Sequence, residues 1–153
     1  MNPHEHRAEI MVVDDDPDTR AILVRYIRRE GLSVVEASSG AECLRVAQQQ
    51  PPDVILLDLM MPEMDGFAVC QALRADPGTA EIPVIMLTAR DDVEARTQGI
   101  ELGVSEFIAK PVVRRELAER IRAQLAMLAA NRANFATLDH LNQPKSGNGS
   151  NTG

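Results

Sequence analysis

The sequence predicts an α/β protein: one doubly wound, five-stranded parallel sheet with helices on both faces. Three observations lead there. Short, β-branched apolar runs alternate five times with stretches of helical spacing. Three of the runs are apolar at successive positions, as strands covered on both faces require. Strands separated by helices cannot pair as hairpins, so they lie parallel and are joined by right-handed crossovers. Five such strands commonly take the order 2-1-3-4-5.

The elements follow in turn. The predicted strands are Ile10–Val13, Ser33–Ala37, Val54–Leu57, Val84–Leu87 and Phe107–Ala109. The first helix, Asp18–Glu30, sets Ile22, Leu23, Tyr26 and Ile27 on one stripe, with Asp18 as N-cap and Gly31 at its C-terminal end. The second, Ser39–Gln50, opens on the capping-box spacing of Ser39 and Glu42 and stops at Pro51-Pro52. Asp65–Ala75 ends on the turn Asp76-Pro77-Gly78, with Asp65 capping and Gly66 tightening the loop before it. Asp91–Leu102 starts on an acidic cap and ends at Gly103. The last helix runs from Val113 to about Ala130 with Leu117, Ile121, Leu125 and Leu128 on its apolar side.

Composition excludes several classes. The 153 residues suit one domain, and 44% apolar with 25% charged residues is ordinary for a globular one. The net charge of −7 argues against a general phosphate-backbone binder, so no direct nucleic-acid contact is expected. The longest apolar run, Leu125–Ala130, is far too short to span a bilayer, and the N-terminus lacks the apolar core of a signal peptide. A cytoplasmic protein without a membrane partner is expected. Cys43 and Cys70 lie in apolar helical contexts and read as buried free thiols. His4, His6 and His140 fall in the terminal arm and tail, away from any ligand-like spacing.

In an open parallel sheet, ligands bind beyond the carboxyl ends of the strands where the strand order reverses. For order 2-1-3-4-5 that point lies between strands 1 and 3. Asp14, Asp15 and Asp16 follow strand 1, Asp58 follows strand 3, Thr88 and Ala89 follow strand 4, and Lys110 follows strand 5. Carboxylates crowded in one cleft repel unless a cation sits among them. A hard ion such as Mg²⁺ binds through one or two carboxylates, waters and a phosphate oxygen. With a lysine and a hydroxyl opposite, that set suits phosphoryl transfer to an aspartate nucleophile.

These residues form four short motifs: Val12-Val13-Asp14-Asp15-Asp16; Leu57-Asp58-Leu59-Met60-Met61-Pro62 with Met64-Asp65-Gly66; Pro83-Val84-Ile85-Met86-Leu87-Thr88-Ala89; and Lys110-Pro111. Over residues 9–130 the chain resembles the receiver domain of two-component response regulators, a flavodoxin-like fold. The resemblance implies that Asp58 accepts a phosphoryl group from a phosphohistidine of a sensor histidine kinase or phosphotransfer protein. It implies Mg²⁺ held by Asp15, Asp58 and the backbone carbonyl of Met60, with Asp14 assisting. It also implies phosphoryl contacts from Lys110, Thr88 and the Ala89 backbone amide, and a Lys110-Pro111 bond that is often cis. The aromatic coupled to the threonine is often Tyr or Phe. Here it is Phe107, which has no hydroxyl, so it switches by packing alone or is a plain core residue. The implied output is a changed affinity for a downstream effector through the helix 4, strand 5 and helix 5 surface.

Other readings are open to test. Asp16 reads as a loop acid at the cleft's edge, and the helix arginines Arg25, Arg28, Arg29, Arg114, Arg115, Arg120 and Arg122 as solvated faces, with i,i+4 pairs Arg115–Glu119 and Glu116–Arg120. Asp14, Asp16 and Asp18 open like an EF-hand loop, but Thr19 replaces its glycine and Arg25 its closing glutamate. A dehalogenase-type phosphatase, another Asp-nucleophile class, needs Asp-x-Asp-x-Thr, which fits neither frame. A receiver-like module that binds proteins without being phosphorylated is the remaining alternative. Residues 1–8 read as a flexible arm and 131–153 as a flexible tail or linker. Leu117, Ile121, Leu128, Phe135 and Leu138 recur at heptad-like spacing, so either a connecting or homodimerising helix or simple fraying follows Ala130.

Overall fold

The computed structural model describes residues 7–89 and 92–142, with side chains to residue 134. The chain alternates β1 (Glu9–Val13), α1 (Pro17–Arg28), β2 (Ser33–Ala37), α2 (Gly40–Gln49), β3 (Val54–Asp58), α3 (Gly66–Ala75), β4 (Val84–Thr88), α4 (Val93–Glu101), β5 (Glu106–Ala109) and α5 (Arg114–Asn142). All four strand pairings are parallel and the order is β2-β1-β3-β4-β5. The expected fold class is the one observed.

The alternation of side chains along each strand divides the core in two. Met11, Val13, Ile55, Leu57, Val84 and Met86 face α2, α3 and α4. Ile10, Val12, Val54, Leu56, Ile85, Leu87 and Ile108 face α1 and α5. Strands β3 and β4 are buried at every position, which is why their sequences run apolar without alternation. Cys43 and Cys70 are both buried free thiols in the first of these cores.

Several boundaries differ from the sequence reading. Asp16, not Asp18, caps α1: its carboxylate accepts from the Thr19 N–H, and Pro17 fills the first helical position, where its missing N–H is not needed. Ser39 caps α2 as expected, but Glu42 reaches back to the Ser38 N–H, one residue before the cap. Asp92 caps α4; Asp91 lies outside the described residues. Gly31 and Gly103 take positive φ at the ends of α1 and α4, as expected of C-terminal glycines.

The larger difference is α5. It continues through Ala130 to Asn142, about 43 Å of helix at 1.5 Å per residue. Leu117 and Ile121 are fully buried and Leu125 and Leu128 pack beside them, so this part of the seven-residue spacing is turned onto the chain's own sheet. Gln124, which interrupts that spacing, is buried too and donates to Glu106. Arg132 then pairs with Asp53, whose other carboxylate oxygen accepts from the Glu9 N–H. The side chains of Phe135, Leu138 and His140, and His4 and His6, lie outside what is described. Some helix arginines are paired rather than merely solvated: Arg114 and Arg122 meet Glu30, and Arg120 meets Glu106. Of the two i,i+4 pairs, Glu116–Arg120 closes at 4.0 Å.

Candidate functional site

The register of the sheet builds the site. Val13 of β1 pairs with Leu57 of β3, so the next residues, Asp14 and Asp58, end adjacent strands at the same height. Asp58 pairs in turn with Leu87 of β4, and Thr88 pairs with Ala109 of β5, immediately before Lys110. The Lys110 N–H donates to the Thr88 carbonyl at 2.8 Å, extending the ladder one residue past β5. The Lys110-Pro111 peptide is cis. Thus Asp14, Asp15, Asp58, Thr88 and Lys110 all reach the carboxyl rim of the sheet.

Asp14 and Asp58 are buried, with 1% and 2% exposure, while Asp15 is exposed. One carboxylate oxygen from each of the three lies within 4.8 Å of the others. Burial pushes the Asp14 carboxyl above its ordinary value; its bond from the Asp16 N–H and the Lys110 charge only partly oppose this. Burial likewise raises Asp58, against the pull of Lys110. The Lys110 ammonium forms an ion pair with Asp58 Oδ1. The buried Asp14 Oδ2 and Thr88 Oγ1 have no hydrogen-bond partner.

Unpartnered buried oxygens are rare, because each forfeits the solvation it had in the unfolded chain. Here they lie in or beside a half-open group of three carboxylates. A hard, oxygen-seeking divalent cation fits that donor set, with the exposed Asp15 side left open for water or a further ligand.

The β3–α3 loop holds Asp58 from behind. Asp65 caps α3 by accepting from the Ala68 N–H, and the Gly66 N–H donates to the Leu59 carbonyl at 2.8 Å. A Cβ at Gly66 would lie 2.9 Å from the Leu59 Cα and 3.0 Å from the Asp58 carbonyl oxygen, so only glycine allows α3 to start there. Glu63 has φ +67° in a three-residue turn closed by Met64 N–H to the Pro62 carbonyl, at 2.7 Å. The Met60 side chain on this loop is 74% exposed.

Phe107 is half-buried on the face of β5 that meets α4. It pairs with Met86, two residues before Thr88, so it and Thr88 share one face of the sheet. A Cβ on Gly99 would lie 2.6 Å from the ring, and the Arg96 guanidinium stands 5.9 Å from its centroid. Ala89 is exposed just beyond Thr88.

No sequence motif marks Arg20, yet it is tied to this site. Its Nη1 donates to the Asp14 carbonyl at 2.7 Å and its Nε to Glu36 at 3.0 Å. The only sequence signal was its place one turn after the acidic run, which does not distinguish it from the other arginines of α1.

Comparison with known proteins agrees with this fold. Residues 10–122 match the family model described as the response regulator receiver domain. The chain is 42% identical over 133 residues to a probable transcriptional regulator, ycf27, of Guillardia theta, covering 87% of this chain and 50% of that protein. It spans about half the length of the curated relatives it matches. A putative response regulator from Chloroflexus aurantiacus superposes with a TM-score of 0.76 at 34% identity, over 79% of this chain and 99% of that one. The receiver domain of a Pseudomonas aeruginosa sensor histidine kinase, solved with a magnesium ion coordinated in its active-site cleft, superposes at 0.73 with 28% identity, over 79% and 99% of the two chains. The chain belongs to the response regulator receiver domain family of two-component signalling.

Proposed function

We propose that Asp58 accepts a phosphoryl group from a phosphohistidine on a sensor histidine kinase or phosphotransfer protein, in a step that uses Mg²⁺. The observation that carries the reading is the buried Asp58 carboxylate, paired with Lys110 inside a group of three carboxylates. Asp14, Asp15, Asp58 and the Met60 backbone carbonyl would hold the ion. When bound, it neutralises the carboxylates and the phosphoryl oxygens that approach them.

An oxygen of Asp58 attacks phosphorus, and the phosphorus–nitrogen bond breaks with its electron pair kept by the imidazole. Lys110 turns from the carboxylate to the phosphoryl oxygens. Thr88 Oγ1, buried without a hydrogen-bond partner, gains an acceptor, and the Ala89 amide donates beside it. Phe107 moves by packing alone. Attack of water on phosphorus later breaks the acyl phosphate's oxygen–phosphorus bond, releasing inorganic phosphate and restoring Asp58. The chain thus catalyses only its own phosphorylation and dephosphorylation.

The output surface is α4, β5 and α5. Helix α4 buries only Ala95 and Gly99 while exposing Val93 and Ile100, so it is lightly held and presents apolar surface to an effector protein or domain. The chain spans only about half the length of its curated relatives, so the expectation of no nucleic-acid contact is confined to residues 1–153. Among the described residues no helix is long and apolar enough to cross a membrane.

The test is intact mass after incubation with acetyl phosphate, with Mg²⁺ or with EDTA. One added phosphoryl group in the Mg²⁺ sample alone, lost in Asp58→Asn, is expected. No gain in wild type, or an equal gain in Asp58→Asn, refutes the assignment and favours a module that is never phosphorylated.

A further inference from the structure

We infer that Arg20 is a positioning residue for the cation site: its guanidinium fixes the Asp14–Asp15 peptide, and with it the direction of both carboxylates. This rests on reading Asp14, Asp15 and Asp58 as cation ligands.

Arg20 grips the acidic loop at two points. Its backbone N–H donates to the Asp16 carbonyl at 2.9 Å as a first hydrogen bond of α1. Its Nη1 donates to the Asp14 carbonyl at 2.7 Å. That oxygen belongs to the planar Asp14–Asp15 peptide unit, so holding it sets the orientation of the Asp15 N–H and Cα as well. The other groups of Asp14 are held too. Its N–H donates to the Ala37 carbonyl at 3.2 Å, and its Oδ1 accepts from the Asp16 N–H at 2.9 Å.

Arg20, through its bond to the Asp14 carbonyl, restrains rotation of the Asp14–Asp15 peptide. Glu36, on the edge strand β2, in turn fixes the guanidinium through Nε at 3.0 Å. The Arg20 side chain is only 19% exposed and its bond to the Asp14 carbonyl is part-buried, whereas Glu36 is 46% exposed and braces the guanidinium from the solvent side. A lysine could keep the charge, but not the planar fork that reaches Glu36 and the carbonyl together.

Positioning and simple electrostatics predict opposite signs. Removing a positive charge near a cation site strengthens cation binding through Coulomb interaction alone. Releasing the Asp14–Asp15 peptide weakens it, because the ligands must then be ordered on binding. The experiment is calorimetric titration of the full chain with Mg²⁺, in wild type, Arg20→Gln and Arg20→Lys, with thermal unfolding in EDTA to establish that each is folded. Both variants are expected to bind Mg²⁺ roughly tenfold more weakly than wild type. Unchanged or tighter binding in folded Arg20→Gln overturns the inference. So does full wild-type affinity in Arg20→Lys, which would show that the guanidinium's two-point hold on Glu36 and the Asp14 carbonyl is not needed, and Arg20→Lys decides alone if Arg20→Gln does not fold. Wild type that binds no Mg²⁺ overturns the cation-site reading itself, a failure distinct from wild-type-like binding in the variants.

Discussion

Replacing Asp14 by Asn should stabilise the metal-free protein, an unusual outcome for a buried polar residue. Asp14 is 1% exposed, its Oδ2 has no hydrogen-bond partner, and burial raises its pKa. A carboxyl whose folded-state pKa is raised destabilises the native state at every pH above its ordinary value, neutral pH included. Two unit charges at the 4.8 Å bound of the carboxylate group repel by about 3.5 kcal/mol at an effective dielectric of 20. Lys110 and the solvent around exposed Asp15 offset much of this, leaving about 1–2 kcal/mol for removal of one charge. Asn keeps the Oδ1 that accepts from the Asp16 N–H and places donors where Oδ2 met other carboxylates. A domain of this size should then melt roughly 3–8 °C higher in EDTA. The stabilisation that Mg²⁺ gives wild type should shrink in the variant. Differential scanning calorimetry in EDTA and in Mg²⁺ measures both. An Asp14→Asn melting temperature at or below wild type in EDTA, with the Mg²⁺ shift intact, would refute the account of these carboxylates.

Other expectations follow from the same contacts. In EDTA, stability should rise as pH falls from neutral through the raised pKa values of Asp14 and Asp58, since protonation is favoured in the folded state. The gain ends near the ordinary carboxylate value. Below it, stability from Asp16 and Glu42, both lowered chiefly by hydrogen bonds, is lost as each protonates. In Mg²⁺ the melting curve should instead fall over the first window, as protons displace the ion; parallel curves would contradict this. Gly66→Ala should cost about 1–3 kcal/mol in urea unfolding and weaken Mg²⁺ binding, because its Cβ presses on the Asp58 and Leu59 backbone; wild-type values would be inconsistent with that crowding. Burial pushes the Cys43 thiol up to about 12 and raises Cys70 as well, so neither should react with a disulfide reagent at pH 8 before unfolding. Truncation after Ala130 should leave the number of chains per particle in light scattering unchanged, since Leu117, Ile121 and Leu128 pack on their own sheet; a fall from two chains to one would instead establish homodimerisation through the α5 extension.

The sheet was legible because its signals are local and redundant. Val54–Leu57 and Val84–Leu87 are apolar at every position, and each intervening helix is bounded by a cap or a Pro/Gly stop. The convergence of Asp14, Asp58, Thr88 and Lys110 follows directly from that topology, since each ends or follows a parallel strand. The α1 cap was misplaced although Pro17 marked it: proline belongs at the first helical position, which makes Asp16 the cap. The end of α5 was placed at a change in composition rather than at a stop signal, and the first proline after Ala130 is Pro144. Arg20 was missed for a different reason. Its partners, the Asp14 carbonyl and Glu36, are a backbone atom and a residue on another strand, and no spacing along the chain encodes either. The turn at Glu63 was missed because glutamate carries no signal for positive φ.

The most direct test of the central claim is to locate the phosphoryl group after reaction with acetyl phosphate and Mg²⁺. Borohydride reduces an aspartyl phosphate to homoserine, and peptide mass spectrometry then identifies the residue. The account predicts homoserine at position 58 only, formed in Mg²⁺ and absent in EDTA. Homoserine at position 14 or 15, or unmodified Asp58 in a sample that carries phosphate, would contradict it.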